Sequence, residues 1–373
     1  MTRAKINRRS LLATASALSL TACVRVPTLM IVPEAAQSGV AETVFVASNR
    51  VFANGQFQSA RQDDVTYTRF TVQIPQDRDA GAVRPGRARR TGPNLRTDFV
   101  ASDGVHLGGE GRFQSELLAE ARRRGTSEVM VFIHGFASSI GTGIYRTAQI
   151  RYDFEVPGVA VHYAWPSSGS YIGYAYDRDS ALFARDGLEE LITGIMQTDL
   201  DVVLVAHSLG SSVVMEVLRQ LRIAGRNALI DRIHGVILFS PDLDVDVFRS
   251  QASRIGDLPQ PFVIFTSQRD QALTFSSIMA GRTARVGNLA TADQVAEFDV
   301  TLIDVSAFEG GVRDRLNHFA GATSQSAVQI LRDAAQINSA FEDGPDARPG
   351  LLPGTILTIQ NATLVLLDPE HAR

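Results

Sequence analysis

Short apolar runs alternate with longer amphipathic stretches through most of the chain, and that alternation predicts the architecture. Val129–Ile133, Val159–Tyr163, Val202–Ala206, Val236–Phe239, Phe262–Phe265 and Val300–Val305 are apolar almost throughout, as strands buried on both faces of a sheet must be. Helical patterns lie between or after them at Arg112–Arg124, Asp179–Met196, Leu209–Ile223 and Ser324–Phe341. Strand and helix in turn predict an α/β fold: a mostly parallel central sheet with helices on both faces and right-handed crossovers. Ahead of this region, Thr43–Ala47 and Val65–Ile74 are rich in β-branched and aromatic residues and read as strands, the second closed by Pro75. Asp77 to Gly111, dense in Gly, Pro and Arg, reads as loop. Near the end, Thr355–Leu367 is one more apolar run, either an added strand pair or a surface for a partner.

The first residues follow another logic. Arg8 and Arg9 precede an apolar stretch, Leu11 to Leu20, too short to span a bilayer, and small residues follow at Thr21 and Ala22. This is the order of an export signal. Leu20-Thr21-Ala22-Cys23 resembles a bacterial lipobox, which implies that the Cys23 thiol receives a diacylglyceryl group and that Cys23 becomes the mature N-terminus. Asn7-Arg8-Arg9-Ser10-Leu11-Leu12 also resembles a twin-arginine export signal, with Asn before the arginine pair. The expected organisation is a lipoprotein signal peptide at 1–23, a Pro/Ala/Gly/Ser tether at 24–41, a folded α/β domain at 42–341 and a tail at 342–373. The expected location is the bacterial cell envelope, anchored to the membrane through Cys23 and facing the periplasm or exterior.

Composition narrows the function classes. A chain of 373 residues that is 45% hydrophobic and 20% charged can bury a large core, which excludes wholesale disorder. The formal charge of −4, without a basic block, speaks against nucleic acid as a partner. A single cysteine excludes an internal disulfide and a multi-thiolate metal site.

Candidate chemistry centres on Asp201-Val-Val-Leu-Val-Ala-His-Ser-Leu-Gly210, a buried-strand pattern that runs into Ser208 and then into a helix. A strand, a sharp turn and a helix in that order push a serine hydroxyl out above a sheet, with small residues two before and two after. Those residues are Ala206 and Gly210, so the usual G-x-S-x-G becomes A-x-S-x-G, one methyl group larger. Upstream, Val129 to Phe136 is another buried strand ending in His134-Gly135-Phe136, where the fold would put one half of an oxyanion hole. The backbone N–H groups of Phe136 and Leu209 are the expected donors. Of seven histidines, His318 sits in a loop after the last strand run and before the final helix, the expected place of the base. Asp242, Asp244 and Asp270 all follow strand runs and are candidates for the acid that orients it. Asp270 is preferred, because its strand leads directly to the one before His318.

These segments together resemble the α/β-hydrolases, and among them the bacterial esterase/lipase-like family catalogued as domain of unknown function 900. The matching features are Ala47-Ser-Asn-Arg50, Phe132 to Phe136, Ala164-Trp-Pro-Ser167 followed by Tyr and Asp, Ala206 to Gly210, Ser240 to Asp244 with Phe248, Asp270 to Leu273, and Leu316-Asn-His318. They cover roughly Glu42 to Phe341. The resemblance implies an α/β-hydrolase fold and a Ser208, Asp270, His318 triad acting on a small-molecule ester or lipid. That chemistry calls for no cofactor and no metal. The rival class is a catalytically inactive envelope lipoprotein that keeps the fold and serves as a binding or scaffolding module.

Two further features have competing readings. Asp242, Asp244 and Asp246 have the spacing of a calcium loop, but the sixth position lacks Gly and the twelfth is Ser253, so a solvated acidic turn fits better. Trp165, in a stretch holding four of the seven tyrosines, is either rigid loop packing or a wall of the acyl pocket.

Overall fold

The computed structural model describes residues 29–367, apart from 88–91, 282, 312, 313, 315 and 333–353. Its elements are β1 (Val40–Ala53), β2 (Gln56–Ile74), β3 (Val100–His106), α1 (Glu110–Arg124), β4 (Glu128–Ile133), α2 (Ile140–Asp153), β5 (Val159–Tyr163), α3 (Tyr174–Phe183) and α4 (Arg185–Met196). The second half comprises β6 (Asp201–His207), α5 (Gly210–Ile223), α6 (Asn227–Ile230), β7 (Ile233–Phe239), α7 (Val245–Ile255), β8 (Phe262–Thr266), α8 (Gln271–Met279), β9 (Thr301–Asp304), α9 (Ala320–Thr323), β10 (Gly354–Ile359) and β11 (Ala362–Leu367).

The strands form one 11-stranded sheet in the order β10-β11-β9-β8-β7-β6-β4-β5-β1-β2-β3. From β1 to β9, and on to β11, neighbours run parallel; among the described residues only the β1/β2, β2/β3 and β10/β11 pairs are antiparallel. The expected mostly parallel α/β sheet is what the chain builds.

Alternation within β4 explains the two layers. Val129, Val131 and Ile133 point into a core shared with Phe113 and Leu117 of α1, Leu188 and Leu191 of α4, and Val213 and Val217 of α5. Met130 and Phe132 point the other way, toward Ile144, Tyr145 and Ala148 of α2 and Ala327 and Ile330 of the helical stretch 325–332. A strand sandwiched in this manner has no polar face, which is why it reads as a continuous apolar run.

Chain order reverses at β4. The chain passes from β4 through α2 to β5 on one side, then back through α3 and α4 to β6 on the other. The crevice beyond the carboxyl ends of β4 and β6 is therefore a topological switch point, where ligands of open α/β sheets bind.

Several expectations change. Val100–His106, expected as loop, is an edge strand against β2, with Asp103 and Gly104 interrupting its apolar pattern beside a register irregularity. The Gly104 position is tight: a Cβ there would meet the Phe70 ring at 2.6 Å. The helix expected over Asp179–Met196 starts earlier and divides at Ala184, whose carbonyl accepts a hydrogen bond from Tyr163 Oη at 2.5 Å. Residues 29–41, expected within the tether, lie against the body instead. Ala35 is buried, the Val32 N–H donates to the Ala101 carbonyl, and Val40 already belongs to β1. Thr355–Leu367 becomes an added strand pair, β11 lying parallel beside β9. Helices α2, α7 and α8 were not singled out by pattern. The export signal with Cys23, the last helix beyond residue 332 and most of the early tail lie outside the described residues.

Candidate active site

Four loops at the carboxyl end of the sheet each contain a non-glycine residue at positive φ: Ala137 after β4 (54°), Ser208 after β6 (53°), Ser240 after β7 (44°) and Asn317 after β9 (52°). Left-handed backbone costs roughly 1–2 kcal/mol for a residue with a Cβ, and such residues gather where the surrounding structure holds them for a purpose. At Ser208 the strain belongs to the turn between β6 and α5. The Ser208 N–H donates to the Phe239 carbonyl, continuing the sheet, and the Ser208 carbonyl accepts from the Ser211 N–H to start the helix.

The close approach expected of this turn is present, and it explains which neighbours must be small. A Cβ at Gly210 would meet the carbonyl oxygens of His134 at 2.5 Å and Ile133 at 2.6 Å. One at Gly135 would meet Ser208 Cβ at 2.7 Å. The loops after β4 and β6 thus abut through their glycines. Ala206, on the strand between β4 and β7, is a buried member of the core, so the A-x-S-x-G departure is accommodated there.

His318 and Asp270 meet directly. His318 Nδ1 lies 2.8 Å from Asp270 Oδ2, and since a carboxylate accepts, the imidazole donates from Nδ1 and leaves Nε2 available. Asp270 is fully buried and also caps α8, its Oδ1 accepting from the Leu273 N–H at 2.9 Å. The two loops are tied by the Gln271 N–H, which donates to the Leu316 carbonyl at 3.0 Å. Burial pushes the His318 pKa down, but the Asp270 carboxylate more than offsets it by charge and hydrogen bond, with Asp242 and Asp314 adding to the effect. The net shift is upward from 6.5.

The backbone of His318 is fixed by Asp314. One carboxylate oxygen accepts from the His318 N–H at 2.8 Å; the other accepts from the Phe319 N–H at 2.8 Å and from Thr323 Oγ1 at 3.0 Å. His207 packs beneath, its ring 4.7 Å from that of His318 and stacked on Phe319 at 4.0 Å. It thereby links Ser208 to the histidine loop. Burial and the neighbouring His318 push the His207 pKa well below 6.5, so this ring stays neutral.

His134 has a different task. Its Nδ1 faces the Gly135 carbonyl at 2.8 Å and its Nε2 the Trp165 carbonyl at 3.0 Å, while Trp165 Nε1 donates to the His134 carbonyl at 2.7 Å. The rings stack at 4.6 Å, and burial holds the His134 pKa far below 6.5. Trp165 is completely buried, so rigid loop packing is the reading that fits it. Beside it, Asp177 of α3 accepts from the Ala137 N–H, the Ser168 N–H and Ser167 Oγ. Buried Arg50 donates to the carbonyls of Ser138 and Ser167, and burial lowers its pKa to about 10. Together they clamp the loop that carries Phe136.

The family model for α/β hydrolases of unknown function, DUF900, matches residues 110–334. The chain belongs to this family. No curated protein sequence matches it. Among solved structures, a Trichoderma reesei cutinase in complex with a phosphonate inhibitor is 19% identical over 35% of this chain and 62% of its own, with a TM-score of 0.23. Aspergillus fumigatus lipase B is 11% identical over 66% and 61%, at 0.39, and a Rhizomucor miehei esterase 12% identical over 89% and 92%, at 0.33. The chain spans about three fifths of the length of the cutinase and of the lipase.

In this DUF900 chain the expected site residues separate cleanly. Ser208, His318, Asp270, Phe136 and Leu209 all lie at the carboxyl end of the sheet. Asp242 makes no hydrogen bond to His318. It accepts from Tyr174 Oη at 2.9 Å and from Ser276 Oγ, and lies 3.3 Å from Arg285 Nε. Asp244 caps α7, accepting from the N–H groups of Asp246 and Val247, so the three spaced aspartates do not converge. Sequence reasoning overlooked Asp314 as a capping residue. An Asp four positions before the base is the signal that could have found it, because such a side chain readily captures nearby backbone N–H groups.

Proposed function

We propose that the protein is a lipid-anchored serine hydrolase that cleaves carboxylic esters, a carboxylesterase or lipase-like enzyme on the outward side of a bacterial inner or outer membrane. The observation that carries the reading is the 2.8 Å contact of His318 with a buried carboxylate, at the same end of the sheet as a serine held at positive φ. In the proposed reaction Ser208 Oγ attacks the ester carbonyl carbon while its proton passes to His318 Nε2. The N–H groups of Phe136 and Leu209 meet the negative charge that builds on the carbonyl oxygen. Collapse of this intermediate breaks the C–O bond, and the leaving alkoxide takes the proton from His318. Water then repeats the sequence on the acyl-enzyme, releasing the acid and restoring Ser208. Asp270 accepts from Nδ1 and so holds the imidazole in the tautomer that this order requires.

Ser208→Ala tests the mechanism. The variant should lose hydrolysis of p-nitrophenyl esters and labelling by a fluorophosphonate while its melting temperature stays close to that of the wild type, since only one hydroxyl is removed. Turnover at the wild-type rate in that variant would sink the reading. The anchor has its own test: Cys23→Ser should move the protein from the membrane fraction to the soluble fraction after export, with specific activity retained. Continued membrane association would remove the lipid anchor from the proposal.

A further inference from the structure

We infer that Ser167, Asp177 and Arg50 are positioning residues of the reaction: they fix the backbone of the loop after β4, so that the Phe136 N–H meets the oxyanion without first having to move. This rests on the hydrolase reading above. The three come from separate parts of the chain, Arg50 from β1, Ser167 from the loop after β5 and Asp177 from α3. All are buried, Ser167 and Asp177 completely. None can meet substrate, so whatever they do for the reaction they do through the loop.

Their bonds converge on two consecutive residues. The Ala137 N–H donates to Asp177 Oδ2 at 3.0 Å, the Ser138 N–H to Ser167 Oγ at 3.2 Å, and Arg50 Nη2 donates to the Ser138 carbonyl at 3.1 Å. Ser167 is the hub. Its hydroxyl donates to Asp177 Oδ2 at 2.6 Å and also accepts from the Gly169 N–H at 3.2 Å, while its carbonyl accepts from Arg50 Nη1 at 3.0 Å. Asp177 Oδ1 takes the Ser168 N–H at 2.6 Å. The residue so held, Ala137, has a φ of 54°, a conformation that an alanine keeps only when its surroundings impose it. One position earlier, the Phe136 N–H has no acceptor among the described residues and stays available to an oxyanion. Nor do Arg50 and Asp177 form a direct ion pair among the described residues; each charge is spent on backbone groups. Buried charge often adds little stability over apolar packing. What these bonds add is direction, and an oxyanion donor works best when it is already aimed.

The experiment measures p-nitrophenyl butyrate hydrolysis and inhibition by phenylboronic acid in Ser167→Ala and in Asp177→Asn, at equal folded fraction. Ser208 Oγ adds to the boron, its proton passing to His318, and the four-coordinate boronate carries its negative charge where the oxyanion would stand. Removing an oxyanion donor outright costs about 10²–10³ in kcat, so a donor set adrift should cost at least about tenfold. Each variant should show that loss in kcat with KM within about twofold of the wild type, and boronate affinity should fall by a factor similar to the fall in kcat/KM. In Ser167→Ala the acid limb of the kcat/KM profile should keep its wild-type midpoint, because His318 is untouched. Wild-type kcat in either folded variant, a loss carried by KM, or a loss of kcat without loss of boronate affinity overturns the inference while the hydrolase reading stands. Hydrogen exchange on the wild type gives a readout that needs no variant: the N–H groups of Ala137 and Ser138 should exchange slowly, and exchange at the rate of an open loop overturns the inference too. Folded wild-type protein that turns over no ester and takes no fluorophosphonate label overturns both readings.

Discussion

Asp242 and Asp270 stand in loops after neighbouring strands of the sheet, and both are buried. Residue type and burial do not separate them; their company does. Asp270 gives one oxygen to the start of α8 and the other to His318. Asp242 is surrounded by Tyr174, Ser276 and Arg285, and the guanidinium neutralises it. The difference arises one step away, where the Gln271 N–H draws the histidine loop over the end of β8 rather than β7. A carboxylate facing a cation and two hydroxyls is suited to holding structure; one facing an imidazole is suited, on the proposed mechanism, to orienting it and stabilising its charge when a proton arrives.

The contrast predicts opposite lesions. Asp270→Asn keeps a good N-cap for α8, since Asn serves there as well as Asp, so the variant should fold. It should lower kcat about 10⁴-fold, because an amide can favour the wrong imidazole tautomer and cannot support the imidazolium. Asp242→Asn should retain most of kcat but lose stability, about 3 kcal/mol by denaturant titration, because the buried Arg285 guanidinium is left without its counter-charge. Kinetics and unfolding must be compared at equal folded fraction. A near-dead Asp242→Asn beside an active Asp270→Asn would reverse the assignment and leave Ser208 and His318 standing.

How much of this was legible follows from what each residue touches. The parallel strands were legible because burial on both faces leaves an apolar run with no alternation. Edge strand β3 was not, since one side meets only β2 and its sequence tolerates Asp103 and Gly104. Ser208, His318 and Asp270 could be singled out as candidates from their positions after strands, which is a property of chain order. That Asp270 and not Asp242 bonds His318 needed the third dimension, because Tyr174 and Arg285, which hold Asp242, come from segments distant in sequence. The clamp of Arg50 and Asp177 was visible only as motif letters: its partners are backbone groups of the loops after β4 and β5, and backbone groups leave no mark in a sequence.

The smallest effect should be the most discriminating, since it measures how each carboxylate acts on His318. Burial lowers the pKa of that ring, and the Asp270 charge and hydrogen bond raise it above 6.5, with a smaller upward push from Asp242. On the proposed mechanism His318 works only when neutral, so kcat/KM should fall as pH drops through this pKa, and the acid limb of the wild type should have its midpoint above 6.5. His134 and His207 do not add a limb in that window, because burial has already pushed both far below it. Removing the Asp270 charge leaves burial unopposed by its main partner, so in Asp270→Asn the residual activity should show a limb displaced to lower pH. In Asp242→Asn the limb should move the same way by a smaller amount, because this carboxylate acts through space and without a hydrogen bond to the ring. A pH series of kcat/KM on all three proteins reads the order directly. Equal displacements would mean that the two carboxylates act on His318 as distant charges of similar weight, and the 2.8 Å bond would then have no special part in setting its pKa.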